Sequence, residues 1–396
     1  MKRSFTISGT GCALVDYLYK PVSFTNEVFK KYLSQQPGDG GLTPGKLVFT
    51  EEFEKFSNAN YQQTRQLITN SREPALNIGG PSVVSLIHAS QMLQGYDAEV
   101  YFSGGKGSDE GGRFIEEKLK GTPLKICNYR TGNLYTPFTD VLSDPSYDNG
   151  LGERIFINNI GAAWEFKPED LDERFFNSDL VVFGGTALVP SIHEALDDLL
   201  AKAKENKAIT VVNTVYDFLN EKKDPTSLWP LGKSSDSYKY IDLLITDMEE
   251  ALRLSGTRDV ESAIRFFRQS GAGAIVITHG PHPVHYISQS LLFGQVPESA
   301  LPVSSKIKEE LLKGNTTGDT TGCGDNFAGG IIASLAIQHL KGAKLPLNID
   351  EAIALGIVSG GFACFYNGGT YFESYPGEKS KRIQAYYNDY LMQIRK

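Results

Sequence analysis

Short runs of apolar residues recur along most of the chain and predict β-strands. Several of these runs are continuously apolar instead of alternating between apolar and polar residues, which is typical of strands covered on both faces, as in a parallel sheet. The pattern therefore predicts a sheet buried between two layers. The predicted strands cover residues 4–8, 98–103, 179–185, 208–212, 241–246 and 273–278.

Amphipathic helical patterns lie between these strands. Residues 81–93 begin with Pro81, a favourable first residue of a helix, and place several apolar residues near one face. Residues 191–206 and 259–271 show similar patterns. The alternation of strands and helices implies right-handed crossovers, and it predicts an α/β fold with a doubly wound, mainly parallel sheet flanked by helices.

Two stretches depart from this alternation. Residues 20–75 are long and polar, and residues 123–165 contain an apolar segment, the turn-rich "DPSYDNGLGE" and then "RIFINN". The second stretch predicts an antiparallel hairpin that leaves the main sheet. Such a hairpin could serve as a lid.

The composition is that of an ordinary soluble protein with a large core. Of the 396 residues, 40% are hydrophobic and 22% are charged. The formal net charge of −8 argues against a nucleic-acid partner and against binding to anionic membranes, because both need a basic surface. No run of about 18 apolar residues is present, and the N-terminal segment makes a poor signal peptide. We expect a cytoplasmic protein without a membrane span.

The four cysteines are Cys12, Cys127, Cys323 and Cys364, and they are widely spaced along the sequence. The absence of a CxxC pair argues against a zinc ribbon and against a dithiol redox site. A disulfide framework is not expected in so long a chain with so few cysteines. The sequence therefore predicts reduced and mostly buried thiols.

Two glycine-rich segments carry weak signals for nucleotide binding. Gly40, Gly45 and Lys46 have the spacing of a phosphate-binding loop, but Leu47 stands where a Ser or Thr would reach magnesium. We interpret this segment as a surface loop. Residues 104–112 lack the GxGxxG spacing of a dinucleotide site, and they predict a turn from a strand into a helix.

Three histidines, His279, His282 and His285, follow a predicted strand at intervals of three. Such a cluster could bind zinc, but a glycine and two prolines interrupt it, and the spacing fits neither a helical pair nor a zinc finger. A loop that lines a ligand pocket is the favoured interpretation.

The strongest candidate site lies in "TTGDTTGCGDNFAGGIIASLA", residues 316–336. Here Gly322, Cys323 and Gly324 precede a helical apolar pattern, so their amides would lie at a helix N-terminus and form an anion site. Asp325 in the first turn has two interpretations that the residues leave open. It could cap the helix, or it could act as a general base that takes a proton from an alcohol beside the anion site.

At these residues the chain resembles a known family. "DTTGCGD" (319–325) is similar to the DTxGAGD signature of the ribokinase-like (PfkB-type) carbohydrate kinases. Other segments resemble further elements in the family's order, from about residue 5 to about residue 370. These segments are "GGPSVV" (79–84) for the GGxxxN turn, "GGKGSDEGG" (104–112) for the GxxGxDxxG element, "ERIFINNIGAA" (153–163) for the segment that closes the lid, "ITDMEEAL" (245–252) for the NxxE helix start and "VITHG" (276–280) for the TxG nucleotide loop.

The resemblance implies a single ribokinase-like α/β domain over residues 1–396, with a small β-sheet lid formed by segments of about 12–50 and 123–165. It also implies an ATP-dependent kinase that phosphorylates a hydroxyl of a sugar or sugar derivative. In that reaction Asp325 would be the general base. The amides of Gly322, Cys323 and Gly324 would hold the γ-phosphoryl oxygens.

The resemblance assigns further residues to ligands by their matching positions. The residues implied for substrate binding are Asp16, Gly79, Gly80 and Val84. Those implied for ATP are Asp319, Thr320, Asp247, Glu250, Thr278 and Gly280. Asp247 and Glu250 would also hold Mg²⁺ through water. The sequence leaves open whether a potassium ion supports the anion hole, although members of the family often use one.

Three positions depart from the family pattern. Position 323 is Cys where the family usually has Ala, and little effect is expected because only the backbone amide is used. Position 247 is Asp where NxxE has Asn, which makes the segment more acidic near the magnesium and could alter metal dependence. Position 84 is Val where GGxxxN has an Asn that commonly contacts a substrate hydroxyl. The departure at Val84 leaves the substrate least defined.

Other functions stay open beside the sugar kinase. A nucleoside kinase of the adenosine-kinase type has the same fold, and Tyr17, Tyr19, Tyr135, Phe138 and Phe156 are candidates to stack on a base. A catalytically idle nucleotide- or sugar-binding relative is a second alternative. A dinucleotide-dependent oxidoreductase is a third, but the chain lacks the fingerprint. Family members with a lid often dimerise through it, so a homodimer is also open for this chain.

Overall fold

The structure is a computed structural model that describes residues 3–36, 38–150, 152–224, 226–314 and 318–395. For residues 127, 149 and 150 it describes the backbone alone. Parts of the segments considered above therefore lie outside the described residues, namely Pro37, Leu151, Thr316, Thr317 and the side chain of Cys127.

The strands carry the short apolar runs of the sequence. Every predicted strand is present, and its ends lie within three residues of the predicted ones. The strands are β1 (Phe5–Gly11), β2 (Leu14–Tyr19), β3 (Leu47–Phe49), β4 (Ala75–Gly79), β5 (Ala98–Lys106), β6 (Lys125–Thr131), β7 (Phe138–Asp144), β8 (Glu153–Asn159), β9 (Leu180–Gly184), β10 (Ile209–Asn213), β11 (Leu243–Asp247), β12 (Ala274–Thr278), β13 (Val284–Ser290) and β14 (Gly294–Leu301).

The helices are more numerous than the clear amphipathic patterns, because several are a single turn long. They are α1 (Glu27–Lys30), α2 (Thr50–Ser57), α3 (Tyr61–Thr69), α4 (Pro81–Met92), α5 (Glu110–Lys120), α6 (Tyr147–Gly150), α7 (Glu173–Phe176), α8 (Pro190–Glu194), α9 (Leu196–Glu205), α10 (Phe218–Lys223), α11 (Met248–Ser255), α12 (Val260–Gln269), α13 (Ser305–Leu312), α14 (Cys323–Leu340), α15 (Ile349–Ala363) and α16 (Glu378–Ile394). None of the described helices is long and apolar enough to cross a lipid bilayer.

A large sheet contains nine strands in the described part of the chain, in the order β14-β13-β12-β11-β10-β9-β1-β5-β6. The seven strands from β12 to β6 in this order are parallel, and β13 and β14 add an antiparallel edge. Buried clusters of apolar side chains cover both faces of this sheet. The predicted doubly wound, mainly parallel α/β fold is confirmed.

A separate small sheet has the order β3-β8-β7-β2-β4. Strands β7 and β8 are antiparallel, which confirms the hairpin predicted within 123–165. Strands β2 and β4 are also antiparallel, and their register places Leu14 opposite Gly79 and Asp16 opposite Asn77. The small sheet therefore brings Asp16 to the place where β4 leads into α4.

Two predicted segments have a different arrangement. Residues 125–131 lie within the segment 123–165 predicted for the lid, but they form β6, which pairs in parallel with β5 at the edge of the large sheet. The single helix predicted over 191–206 is two helices, divided at Ala195. In the first of them, the ring of His193 is held between the Thr186 hydroxyl and the Pro230 carbonyl. These contacts tie the first helix to residues outside the second.

Three helices pack closely beside the large sheet because small residues face each other. A Cβ atom on Gly329 of α14 would overlap the Ser85 carbonyl oxygen of α4, and one on Gly330 would lie 2.6 Å from Ser359 Oγ of α15. At the carboxyl end of β1, a Cβ atom on Gly11 would lie 2.7 Å from Ser82 Cβ. Helix α4 thus begins at the carboxyl edge of the sheet, which is where parallel α/β sheets bind ligands.

Candidate active site

A glycine-rich turn, residues 318–322, precedes α14 and ends at Gly322. Gly322 has a φ of 72°, in the left-handed region, and a Cβ atom there would lie 2.5 Å from Gly369 Cα. Both the conformation and the close approach require glycine. No side chain of the described residues caps α14. Of its first amides, that of Cys323 donates a long hydrogen bond of 3.4 Å to the Thr320 carbonyl oxygen. The helix dipole adds partial positive charge there.

Asp325 lies in the first turn of α14 and is half-buried. Burial raises the pKa of its carboxyl group to about 7. Such a pKa suits a general base, because the carboxylate is present near neutral pH and still binds a proton well. The interpretation of Asp325 as a mere helix cap is weakened, since its side chain is not the cap of α14.

Asp16 in β2 lies next to this turn and is buried, with 5% of its surface exposed. Its carboxylate lies against Gly79, where an added Cβ atom would overlap Asp16 Oδ2. Burial and, to a smaller extent, the negative charges of Asp325 and Asp319 together raise the pKa of Asp16 to about 8. The three carboxyl groups of Asp16, Asp319 and Asp325 therefore share one site.

Gly80 and Val84 belong to the backbone that borders this site. Gly80 has a φ of 106° and precedes α4, and a Cβ atom on it would overlap the Cys12 carbonyl oxygen. Val84 is buried, and a Cβ atom on Gly369 would lie 3.2 Å from its Cγ2. The side chain at position 84 thus lies beneath Gly369, which in turn contacts Gly322. Val84 therefore contributes to the shape of the site but offers no polar group to a ligand.

Arg154 in β8 is a functional candidate that the sequence analysis did not single out. Its guanidinium donates hydrogen bonds of 2.8 Å to Thr321 Oγ1 and 2.9 Å to Thr320 Oγ1, and it lies 4.0 Å from an Asp319 oxygen. It brings a fixed positive charge from the small sheet to the glycine-rich turn. The only signal in the sequence was a basic residue in the otherwise apolar and amide-rich segment "RIFINN".

Asp247 and Glu250 form a reciprocal cap at the start of α11. Asp247 Oδ1 accepts a 2.8 Å hydrogen bond from the Glu250 amide, and Glu250 Oε2 accepts one from the Asp247 amide at 3.3 Å. Glu250 also accepts hydrogen bonds from the hydroxyls of Thr214 and Thr246. Burial and the charge of Asp247 raise the pKa of Glu250 to about 8. The carboxylate of Asp247, in contrast, is exposed.

Thr278 and Gly280 lie beside this cap. The register of β11 and β12 places Thr278 opposite Asp247. A Cβ atom on Gly280 would meet nothing within 4 Å. This loop is therefore open to a ligand at the same edge of the sheet as the glycine-rich turn.

The predicted site residues thus form two groups. One comprises Asp16, Gly79, Gly80, Val84, Asp319, Thr320, Gly322, Cys323, Gly324 and Asp325. The other comprises Asp247, Glu250, Thr278 and Gly280. No hydrogen bond or ion pair between described residues joins the two groups. A ligand that spans the gap between them would make that connection.

Asn326 and Lys379 were also missed by the sequence analysis. Asn326 follows Asp325, and its Nδ2 donates to the carbonyl oxygens of Gly322 at 2.8 Å and Gly369 at 2.9 Å. Lys379 of α16 is buried, and its Nζ donates to Asn326 Oδ1 at 2.8 Å. The C-terminal helix, to which the sequence analysis assigned no chemistry, thus contacts the residue after Asp325.

The weaker candidates lie elsewhere. Residues 104–112 form the predicted turn from β5 into α5, where Asp109 accepts a hydrogen bond from the Gly112 amide. The rings of His279 and His282 are 4.5 Å apart, and no group of three or more His, Cys, Asp or Glu residues that could hold a metal occurs within the described ranges. Lys46 is exposed in a loop beside β8.

A cavity of about 720 Å³ opens between the small sheet and α10. Aromatic side chains and charged side chains of both signs line it, and none of the predicted site residues is among them. The lining residues are Gly38, Asp39, Gly40, Phe49, Glu51, Glu52, Lys55, Phe56, Ile160, Trp164, Leu219 and Lys222.

Comparison with known proteins gives a consistent picture. Residues 58–374 match the family model described as pfkB family carbohydrate kinase. The 2-dehydro-3-deoxygluconokinase of Thermoproteus tenax is 24% identical over 63% of this chain and 70% of that protein. The cytidine kinase of Thermococcus kodakarensis is 32% identical, but that match covers only 30% of this chain and 34% of the relative's length.

Solved structures resemble this chain over nearly its whole length. The adenosine kinase of Schistosoma mansoni in complex with 2-fluoroadenosine has a TM-score of 0.69 and 16% identity, covering 93% of this chain and 97% of that one. A probable sugar kinase from Rhizobium etli has a TM-score of 0.67 and 15% identity, covering 97% and 99%. At this level of identity the likeness concerns the fold alone.

Proposed function

Because the chain belongs to the pfkB family of carbohydrate kinases, we propose that it transfers the γ-phosphoryl group of ATP to a hydroxyl group of a sugar or sugar derivative. The observation that carries this proposal is the location of Asp325 and Asp16 beside the uncapped N-terminus of α14. This arrangement combines a base, an acceptor for a substrate hydroxyl and an anion site. Phosphoryl transfer needs mainly such positioning and charge stabilisation.

Asp16 is the proposed contact for the sugar. Its carboxyl group fills the space over Gly79, where any larger side chain would overlap it. An oxygen of this buried carboxyl group accepts a hydrogen bond from a substrate hydroxyl, which replaces the water lost on binding. Val84 offers no hydrogen bond, so recognition of the substrate rests on Asp16 and on the small sheet.

Asp325 is the proposed general base. It takes the proton of the acceptor hydroxyl while that oxygen forms a bond to the γ-phosphorus atom. The bond between the γ-phosphorus and the β,γ-bridging oxygen breaks, and ADP leaves with the electron pair of that bond. The pKa of Asp325, about 7, allows it to bind the proton and release it after the transfer.

The amides of Gly322, Cys323 and Gly324 are the proposed anion hole for the transferring group, because α14 has no side-chain cap. Arg154 adds a positive charge above the same turn, held by the hydroxyls of Thr320 and Thr321. Asp319 accepts a 2.7 Å hydrogen bond from the Thr321 amide. We propose that Asp319 and Thr320 help to place the phosphates and the water around them.

Residues suited to Mg²⁺ are present at the start of α11. Mg²⁺ prefers oxygen ligands and keeps several of its water molecules, and the exposed carboxylate of Asp247 fits such a water-mediated contact. Glu250 is buried and accepts three hydrogen bonds, one of them from the Asp247 amide, so we propose that it holds Asp247 in place. Mg²⁺ would neutralise charge on the phosphates of ATP.

A nucleoside kinase is the second candidate. It is favoured by aromatic side chains of the small sheet and of α3. Phe138 of β7 lies 6.0 Å from Tyr17 of β2 in an edge-to-face contact and 6.4 Å from Tyr61 of α3 in a stacked one. Such rings can also stack on a base. The matched proteins include an adenosine kinase and a cytidine kinase as well as sugar kinases.

The test is ADP release from Mg-ATP against a panel of sugars, sugar acids and nucleosides, for the wild type and for Asp325→Asn. Turnover with a sugar or sugar acid that the variant loses would support the main proposal. Turnover with a nucleoside alone would favour the second candidate. ATP binding without turnover on any acceptor would favour a catalytically idle relative. Equal turnover of both proteins would exclude Asp325 as the base.

A further inference from the structure

Two cysteines that are 41 positions apart in the sequence meet at the glycine-rich turn. The Sγ atoms of Cys323 and Cys364 are 3.4 Å apart. Cys323 is the first residue of α14, and Cys364 directly follows α15. A disulfide bond is about 2.0 Å long, so the two sulfur atoms need to approach each other by little more than about 1 Å. Both are free thiols, as the sequence predicts, but their contact joins positions that the sequence keeps far apart.

The backbone around the two cysteines holds them together. A Cβ atom on Gly360 of α15 would lie 2.8 Å from the Cys323 carbonyl oxygen, and one on Gly318 would overlap the Cys364 carbonyl oxygen. Both cysteines are half-buried, so a small oxidant can reach them from solvent. Cys12, in contrast, is buried with 2% of its surface exposed.

The two thiols also differ in reactivity. The hydrogen bond between them lowers the pKa of Cys364 and raises the pKa of Cys323 well above its ordinary value. Burial and the charge of Asp319 oppose the lowering at Cys364. Since the thiolate is the reactive form, Cys364 is the expected nucleophile and Cys323 the partner that resolves the intermediate. Burial raises the pKa of Cys12 to about 12, which makes that thiol inert.

We propose that Cys323 and Cys364 form a redox modification site at which a hydroperoxide converts the two thiols into a reversible disulfide. The Cys364 thiolate attacks one oxygen of hydrogen peroxide, the O–O bond breaks, and hydroxide takes up a proton and leaves as water. The Cys323 sulfur then attacks the sulfenic sulfur of Cys364. The S–O bond breaks, the S–S bond forms, and a second water leaves with the Cys323 proton. The two sulfurs lose two electrons in total, and the peroxide gains them.

The disulfide would also affect catalysis, a consequence that rests on the proposed function. The Cys323 amide is one of the three proposed donors of the anion hole. Drawing Cys323 Sγ toward the end of α15 pulls on the first residue of α14 and thus on that amide. A displacement of about 1 Å in such a donor is enough to reduce the rate of transfer by tenfold or more.

The first test is chemical and does not depend on kinase activity. The reduced full-length protein is treated with hydrogen peroxide, alkylated, and digested with trypsin without reductant. Cys323 lies in tryptic peptide 314–341 and Cys364 in peptide 345–379. We expect these two peptides to be linked, with the loss of two hydrogens, and to separate on treatment with dithiothreitol. Cys12→Ser should retain the link, whereas Cys323→Ser and Cys364→Ser should lack it.

A link that involves another cysteine would overturn the proposal, as would peroxide-treated protein that shows no link. The second test compares kinase activity of the wild type and Cys364→Ser before and after peroxide. We expect a fall of roughly tenfold in the wild type, restored by dithiothreitol, and no change in the variant. A linked protein with full activity would overturn the effect on the anion hole. A linked protein without kinase activity even when reduced would count against the proposed function and leave the modification site intact.

Discussion

Lys379 Nζ donates a 2.8 Å hydrogen bond to Oδ1 of Asn326, the residue that follows Asp325. This bond orients the Asn326 amide group so that its Nδ2 donates to the carbonyl oxygens of Gly322 and Gly369. Lys379 is buried among the rings of Tyr366 and Tyr371, at 5.6 and 5.8 Å. Burial lowers its pKa to about 7. A desolvated lysine is thus used to hold the turn that precedes the proposed base.

Lys379→Met tests whether this lysine positions the turn. Methionine keeps an unbranched stem but removes the 2.8 Å hydrogen bond to Asn326 Oδ1, while the 3.2 Å bond from Tyr366 remains. We expect kcat to fall roughly tenfold, because the anion-hole amides lose their alignment, while KM for ATP and for the acceptor changes little. The melting temperature should fall little compared with kcat, because the variant also removes a buried charge, which is costly to the folded state.

Lys381→Met is the matched control, because Lys381 lies in the same helix but is exposed. Its kcat should equal that of the wild type. If Lys379→Met also keeps the wild-type kcat, Lys379 does not position the turn. A parallel loss of kcat and melting temperature would indicate a general structural role.

Arg154→Lys should reduce kcat by roughly 100-fold, because a single ammonium nitrogen does not reproduce the planar fork in which two guanidinium nitrogens bond Thr320 and Thr321. The measurement is steady-state ADP release with the acceptor found by the substrate panel. Lys46→Gln removes an exposed charge in the loop that pairs with the same strand, and it should leave kcat unchanged. An unaltered kcat in Arg154→Lys would show that the guanidinium does not stabilise the transferring phosphoryl group.

Local sequence patterns predicted the strands, the helices and the fold, but not the long-range contacts that complete the site. Continuous apolar runs indicated the parallel strands, and the glycines before α14 indicated its N-terminus. The hydrogen bond from Arg154 to Thr320 spans 166 positions, and that from Lys379 to Asn326 spans 53. Neither side chain carries a local pattern that distinguishes it from a solvated surface charge. Only tertiary packing shows that Lys379 is buried and that Cys364 meets Cys323.

The capping role of Asp247 was hidden for a different reason. A departure from Asn to Asp at position 247 suggested altered metal dependence, but either residue can accept the hydrogen bond from the Glu250 amide. One side chain therefore serves the start of α11 and, in our proposal, the metal. A sequence pattern cannot separate two roles that use the same oxygen atoms.

The pH dependence of catalysis should report the ionisation of Asp325. A general base must be ionised, and burial raises the pKa of Asp325 to about 7 in the free protein. We expect kcat/KM to rise about tenfold per pH unit below pH 7 and to level off above it. Stopped-time ADP assays from pH 5 to 9 under saturating Mg-ATP measure this profile. A flat profile over that range would contradict the assignment of Asp325 as the base.

Whereas kcat/KM should rise with pH, the contribution of Asp325 to stability should fall with pH. Because the pKa of Asp325 is raised from 3.8 to about 7 on folding, the folded state binds the proton more tightly than the unfolded state. The contribution of Asp325 to stability is therefore fully present below pH 3.8 and is lost as pH rises through 7. Asp325→Asn removes this dependence. Its gain in melting temperature over the wild type should grow from pH 4 to 7 and then stay constant.

Glu309→Gln serves as the control for that measurement, because Glu309 is exposed and lies outside the site. Its melting temperature should follow that of the wild type at every pH. If Asp325→Asn melts below the wild type at pH 8, the aspartate stabilises the fold. That result would contradict the view that the protein loses stability to keep this aspartate in its site.

Asp247→Asn and Asp247→Ala together distinguish the role of Asp247 as the cap of α11 from its proposed role in binding Mg²⁺. Asparagine keeps the hydrogen bond to the Glu250 amide but removes the charge, so we expect an unchanged melting temperature and a Mg²⁺ requirement several-fold higher. Alanine loses the cap as well, and its free energy of unfolding should fall by about 1 kcal/mol. Titration of activity with Mg²⁺ at fixed ATP, beside thermal unfolding, measures both effects. If Asp247→Asn keeps the wild-type Mg²⁺ requirement, the exposed carboxylate caps α11 and does not serve the metal.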